Sequence, residues 1–287
     1  MPAASAAGRE LACNTAAASV AGAIGITIFN PLDCLRIRWQ AGIGTAAVGQ
    51  MTFSAFARSV VREEGWWRGL HSVGLGLNQL AVGLSQGLRI GLYPSVRDTI
   101  LAPGTVNPTA MAAAGLLSGS LAYAIATPLW LLKTRTQVAA QLKIPIEWPT
   151  SVRGYWIGCS PLVVRGALLT AGQMAGYDTT KKMCTRHALL HDGPVLHVAA
   201  ALMAGLCAAS LSAPADVVWT RLQSSVGSTR GEAMGVVGCV VATAREGGPG
   251  AFYAGWTANV LRLAPTFVVG SAIYEQARCF LGLGYMR

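Results

Sequence analysis

Two arginines stand where an arginine is costly. Arg165 interrupts the apolar run from Gly154 to Tyr177, and Arg262 interrupts the run from Gly247 to Tyr274. Each precedes its tyrosine by twelve residues, and the same step back from Tyr93 lands on Ala81. A guanidinium near the middle of a bilayer costs about 2.5 kcal/mol or more, so its presence points to a task. Two such forks at one register suit an anion, a carboxylate or a sulfate-like oxyanion, because each offers parallel N–H donors to two oxygens. A structural bond to backbone or lipid is the other use for them. Arg89 lies four residues before Tyr93, one turn away on the same helix face, and is a third candidate contact.

A second constellation is written three times. NPLDCLRIRWQ (Asn30–Gln40) returns as TPLWLLKTRTQ (Thr127–Gln137) and as APADVVWTRLQ (Ala213–Gln223). With Pro31, Pro128 and Pro214 aligned, the second residue after the proline is Asp33, Trp130 or Asp216. The fifth is Arg36, Lys133 or Trp219. Arg38, Arg135 and Arg221 recur at the seventh place, and Gln40, Gln137 and Gln223 at the ninth. A period this long means repeated units of more than one element. The units run 1–104, 105–192 and 193–287, within one membrane domain.

The elements that must position these residues are membrane helices. Of the 287 residues, 53% are hydrophobic and only 12% charged, where a soluble domain carries about 25%. The net charge of +10 suits anionic lipid better than nucleic acid, since the basic residues form no stripe or binding motif. The seven cysteines form no CxxC and read as packing residues rather than as zinc ligands or a disulfide framework. MPAASAAGRE lacks the basic start of a secretory signal. Six apolar runs are long enough to cross a bilayer: Leu11–Leu32, Gly69–Leu88, about Thr109–Thr127, Gly154–Tyr177, Gly193–Ala215 and Gly247–Tyr274. The first, third and fifth end at the motif prolines. Each carries a small-xxx-small pair (Ala18/Gly22, Gly115/Gly119, Ala201/Gly205) that lets helices approach closely in lipid. Arg58–Gly69 reads as an interfacial segment. Its counterpart in repeat two, Val138–Arg153, is about two helical turns shorter and contains Pro145 and Pro149. Both termini then share one side and the motif loops the other, with a weak basic excess that leans those loops toward the matrix or cytosol.

These residues resemble the mitochondrial carrier family, whose signature is P-x-(D/E)-x-x-(K/R) on odd helices and (F/Y)-(D/E)-x-x-(K/R) on even ones. The resemblance covers essentially the whole chain. It implies an all-α fold of six tilted transmembrane helices in three hairpins with short interfacial helices, a pseudo-threefold barrel in the mitochondrial inner membrane. It also implies a central site closed alternately by two ion-pair gates. Under the family's pairing the matrix gate joins Asp33 to Lys133 and Asp216 to Arg36. An acid and a base three residues apart cannot both serve one neighbour, so each reaches an adjacent repeat. At about 1 kcal/mol per pair beside water the latch is reversible. The third pair would join the positions of Trp130 and Trp219. Either the two rings stack as an aromatic plug, worth about 0.5–1.5 kcal/mol beyond burial, or they are lipid-facing tryptophans of the interface. Gln40, Gln137 and Gln223 resemble braces under this gate. On the cytoplasmic gate the pairs are Asp178 with Arg278 and Glu275 with Arg97. Pro94 stands where Lys181 would find its acid, and Tyr93, Tyr177 and Tyr274 resemble braces. Gly69, Gly158 and Gly255 open the even helices, and with Arg68 resemble the family's cardiolipin sites; cardiolipin is the one bound lipid implied, and no cofactor is.

Ala81, Arg165 and Arg262 match the family's substrate contact points. GCSPLVVRG (Gly158–Gly166) and LRLAP (Leu261–Pro265) look like the oxaloacetate and oxoglutarate carriers, although Ala81 and Gly166 depart from the dicarboxylate pattern. The resulting expectation is exchange of a small organic or inorganic anion by alternating access, with no enzymatic role. The alternative is a carrier fold kept as a structural subunit of a larger inner-membrane assembly.

Overall fold

The computed structural model describes residues 2–42, 51–100, 108–143, 145–146, 148–186, 194–225 and 235–282. The repeat boundaries at 104/105 and 192/193 lie outside them. Among the described residues every regular element is helical: α1 (Pro2–Gly42), α2 (Phe53–Glu64), α3 (Leu75–Ile100), α4 (Pro108–Leu142), α5 (Cys159–Arg186), α6 (Pro194–Ser225), α7 (Val236–Gly247) and α8 (Trp256–Phe280). Here α1, α4 and α6 carry the proline motif, and α3, α5 and α8 return. Each motif helix packs on two return helices: α1 on α3 and α8, α4 on α3 and α5, α6 on α5 and α8. The ring therefore closes. The three motif helices also touch one another.

Among the described residues, length and composition qualify three segments to cross a membrane: Gly8–Ala41, Ala113–Leu142 and Val198–Gln223. All three belong to motif helices. The return helices carry arginines and amides in their middles, which the barrel interior accommodates. Outward, Val20, Ile24 and Ile28 on α1 are matched by Leu117, Leu121 and Ile125 on α4, all about half exposed. Spacing by four puts each set on one stripe, the face offered to lipid. The small residues lie on the protein-facing side. A Cβ on Gly205 would stand 2.5 Å from the Ala264 backbone of α8, so only glycine allows that approach.

The sequence places helix ends at the motif prolines, and the structure corrects this. Pro31, Pro128 and Pro214 lie inside α1, α4 and α6, which continue well beyond them. A proline deprives the carbonyl four residues earlier of its N–H partner. At Pro128 the Trp156 indole Nε1 donates to that carbonyl, of Ala124, at 3.0 Å. At the other two prolines a side chain reaches the equivalent residue. Gln79 Nε2 donates to Thr27 Oγ1 at 2.8 Å, and Trp256 Nε1 donates to Ser210 Oγ at 3.0 Å. The return helices likewise run past Leu88, Tyr177 and Tyr274.

Among the described residues, surface helices flank the motif loops of repeats one and three only. α2 buries Phe56 and Val60 against Leu35 and Leu70. Arg38 ties it down, donating from Nη1 and Nη2 to the Glu64 carboxylate (2.8 and 2.6 Å), from Nη1 to the Gly69 carbonyl (2.6 Å) and from Nε to Gln141 (3.0 Å). The hydrogen bonds from Arg38 hold the Glu64 carboxyl below the usual range. In repeat two, Val152–Trp156 forms a short 3-10 turn; no α-helix precedes it among the described residues after α4.

Candidate functional site

Where the motif helices meet, charge is concentrated and dry. Lys133 Nζ lies 2.5 Å from Asp33 Oδ2, and Arg36 Nη1 lies 3.2 Å from Asp216 Oδ2. These pairs cross from α4 to α1 and from α1 to α6. Both carboxylates are 1% exposed. Two more cations arrive from the return helices. Arg165 Nε on α5 donates to Asp216 Oδ1, and Arg262 Nε on α8 stands 3.3 Å from Asp33 Oδ1. Asn78 Nδ2 donates to Asp33 Oδ2 at 3.0 Å, and Asn259 Nδ2 to Asp216 Oδ2 at 3.2 Å. Four cations thus share two carboxylates, an excess of two positive charges. Arg36 Nε, Arg165 Nη1 and Trp130 Nε1 are buried there without a hydrogen-bond acceptor. Buried groups of this kind normally find partners.

Arg165 and Arg262 therefore point inward, away from lipid, and in this conformation the gate's own carboxylates hold them. Ala81, their counterpart on α3, is fully buried in an apolar cluster with Val82, Tyr123 and Trp130. Gly166 leaves room for the Tyr123 ring, which a Cβ there would strike. That ring lies 5.5 Å from the Arg165 guanidinium, and the Trp130 ring 5.0 Å. Arg89 reaches across to α5, donating from Nη1 to Gln173 Oε1 at 3.1 Å and to Thr170 Oγ1 at 3.5 Å.

Trp130 and Trp219 are both buried, in one cluster with Leu162. Their predicted stack is replaced by separate partners. Trp130 faces Tyr123 at 5.7 Å and lies under Lys133 at 4.8 Å. Trp219 Nε1 donates to Thr134 Oγ1 at 3.2 Å, with its ring against Gly158. Cations above one ring and a hydroxyl beside the other draw them apart.

The glutamines act with threefold regularity. Gln40 Nε2 donates to the Ala254 carbonyl (3.0 Å), Gln137 Nε2 to Val73 (3.5 Å) and Gln223 Nε2 to Ile157 (3.4 Å). Each carbonyl immediately precedes a positive-φ glycine that opens a return helix: Gly255, Gly74 and Gly158. This corrects Gly69. It sits in a π-helical turn, Trp67–His71, whose carbonyls are taken by α1: Gly69 by Arg38, and Leu70 and His71 by Asn30. Gly74, seven residues before Ala81, holds the equivalent place. Arg68 is exposed in the turn.

At the other end, Arg278 Nη1 donates to Asn14 Oδ1 of α1 at 2.9 Å, and the Tyr274 hydroxyl to the same atom at 3.4 Å. Tyr93, Arg97, Tyr177 and Lys181 are half-buried. The side chains of Pro94, Asp178 and Glu275 lie outside the described set, and with them both expected cytoplasmic pairs.

The sequence reading missed Asn78, Asn259, Tyr123 and Asn14. A signal existed for the first two. They stand three residues before Ala81 and Arg262, and the matching place before Arg165 is Leu162. Apolar Leu162 accompanies Trp130 where the acid is lost.

A model of the mitochondrial carrier protein family matches residues 8–103 and 191–284. Mitochondrial uncoupling protein 1 of Arabidopsis thaliana is 29% identical, covering 93% of this chain and 92% of its own. Mitochondrial brown fat uncoupling protein 1 of Canis lupus familiaris is 30% identical over 93% and 92%. A probable mitochondrial 2-oxoglutarate/malate carrier protein of Dictyostelium discoideum is 28% identical over 90% and 86%. With the threefold ring of hairpins, these matches place the chain: it belongs to the mitochondrial carrier family, as a multi-pass transporter of the mitochondrial inner membrane and not an enzyme.

Proposed function

We propose that the protein exchanges small dianions, di- or ketocarboxylates or a sulfate-like oxyanion, by alternating access. The observation that carries this reading is the buried excess of cations: Arg36, Lys133, Arg165 and Arg262 against Asp33 and Asp216. When the motif helices separate, their carboxylates leave with them. Arg165 and Arg262, on return helices, remain as a pair of forks. A dianion would neutralise the two surplus charges, whereas a monoanion would leave one of them buried and uncompensated. The 2-oxoglutarate/malate carrier named among the relatives fits this class. Arg89, nearer the opposite end of α3, is a third contact on the way in. Cardiolipin is the proposed lipid at the starts of α5 and α8, where free backbone N–H groups suit phosphate.

The test is uptake of labelled oxaloacetate, malonate, sulfate and oxoglutarate into proteoliposomes loaded with the same anions. Arg165→Ala and Arg262→Ala are each expected to cut exchange about 10–100-fold, the value of a charged hydrogen bond. Exchange untouched by both changes overturns the reading.

A further inference from the structure

Arg165 has a contact that a substrate ligand does not require. The proline motif provides one ion pair for each seam between repeats. Asp33–Lys133 closes the seam between repeats one and two, and Asp216–Arg36 the seam between three and one. The seam between two and three has Trp130 and Trp219 instead. It is nevertheless bridged by opposite charges. Arg165, on α5 of repeat two, donates Nε to Asp216 on α6 of repeat three. The same two repeats are joined, with the cation now on repeat two and the acid on repeat three.

The surroundings are shaped for this contact. Trp130, in the place of the missing acid, lies 5.0 Å from the guanidinium, and Tyr123 lies 5.5 Å from it. Gly166, next along the chain, carries no side chain to displace the Tyr123 ring. Among the described residues three hydrogen bonds cross the seam as well, Trp219 to Thr134, Arg135 to Gln223 and Gln223 to the Ile157 carbonyl, but none pairs opposite charges. Arg262 is the instructive contrast. It pairs with Asp33, across a seam that the motif already closes, and its Nη2 turns to Asn259 on its own helix at 3.3 Å.

We propose that Arg165 is the third latch of the motif-side gate as well as an anion contact, so that an anion taking its guanidinium opens the seam between repeats two and three in the same step. This rests on the transport reading above. The exchange is one anionic acceptor for another. Asp216 keeps Arg36 and Asn259, and Arg165 gains the substrate oxygens, so neither charge is stripped bare while buried.

Two rates in proteoliposomes test it: exchange of labelled malonate or sulfate, and passive efflux of chloride with no counter-anion. Arg165→Gln is expected to cut exchange about 10–100-fold, as alanine does, and to raise chloride efflux several-fold. Adding Trp130→Asp with Trp219→Arg, which rewrites the motif pair, should return efflux to the wild-type rate while exchange stays low. Arg165→Lys keeps the charge and should stay tight to chloride while exchanging poorly. Wild-type efflux from Arg165→Gln, or raised efflux that neither the rewritten pair nor lysine lowers, overturns the latch. Chloride efflux does not depend on the transported species. If none of the tested anions is exchanged, the transport reading fails and the latch is still decided by efflux.

Discussion

Two of the three seams in the gate are polar and the third is greasy, and each is consistent within itself. On the polar side an acid from the motif helix meets a cation from the next repeat and an asparagine from its own return helix: Asp33 with Lys133 and Asn78, Asp216 with Arg36 and Asn259. On the third side the corresponding residues are Trp130, Trp219 and Leu162, buried together. There the acid, its cation and the asparagine are absent together. Removing only the acid would strand a cation, and keeping the asparagine beside a tryptophan would strand an amide. The residual electrostatic work falls to Arg165.

Asp216 serves two seams at once. Asp216→Ala leaves Arg36 and Arg165 buried without their carboxylate, and is expected to cost about 3–5 kcal/mol. That is much of the stability of an ordinary domain. Thermal unfolding in detergent measures it. A loss below about 1 kcal/mol would mean that the arginines find other acceptors and that the polar seams are no more tightly coupled than the apolar one.

A smaller effect sharpens the same contrast. With two positive charges in excess, the greasy seam should tolerate an added acid better than an added base. Trp130→Asp is expected to be more stable than Trp130→Asn, since Lys133 and Arg165 already lie within 5.0 Å of that ring. Trp219→Arg is expected to be less stable than Trp219→Gln. Each difference should be about 1.5–3 kcal/mol, the range for charged hydrogen bonds. The neutral partner in each pair removes the cost of losing the ring. The opposite order would mean that the cluster carries no surplus charge.

Repeat number, ring order and the two surviving ion pairs were legible because each is a matter of register. Three prolines align, and everything at a fixed distance from them follows. What register could not show is how the chain compensates for a broken rule. Pro128 reads as a helix end until Trp156 is found on the Ala124 carbonyl. Gly69 reads as a helix start because its WRG resembles the triplets at Gly158 and Gly255. The backbone bond from the Ser72 N–H to the Trp67 carbonyl makes a π-helical turn there instead, and Arg38 and Asn30 take its free carbonyls. The two tryptophans share one buried cluster. Their partners depend on the side-chain directions of Lys133, Tyr123 and Thr134, which no spacing encodes.

The clasps that hold the surface helices of repeats one and three also differ. Arg38 is buried and holds Glu64 through two nitrogens, whereas Arg221 meets Glu246 from a more open position, 2.6 Å apart, with Glu246 62% exposed. Glu64→Gln should therefore cost more than Glu246→Gln, about 1.5–3 against about 0.2–1 kcal/mol. The Glu64 carboxyl is held below its ordinary value by Arg38. Its contribution is complete above that ordinary value, near 4.5, and is lost as pH falls through the lower folded value. The thermal gap between wild type and Glu64→Gln should thus be flat from neutral pH down to about 5 and close in acid. The Glu246 gap, being a surface pair, should instead vanish in about 1 M salt, where the screening length is about 3 Å. Equal salt sensitivity at both sites would show that burial of Arg38 adds nothing, and that the two clasps differ only in geometry.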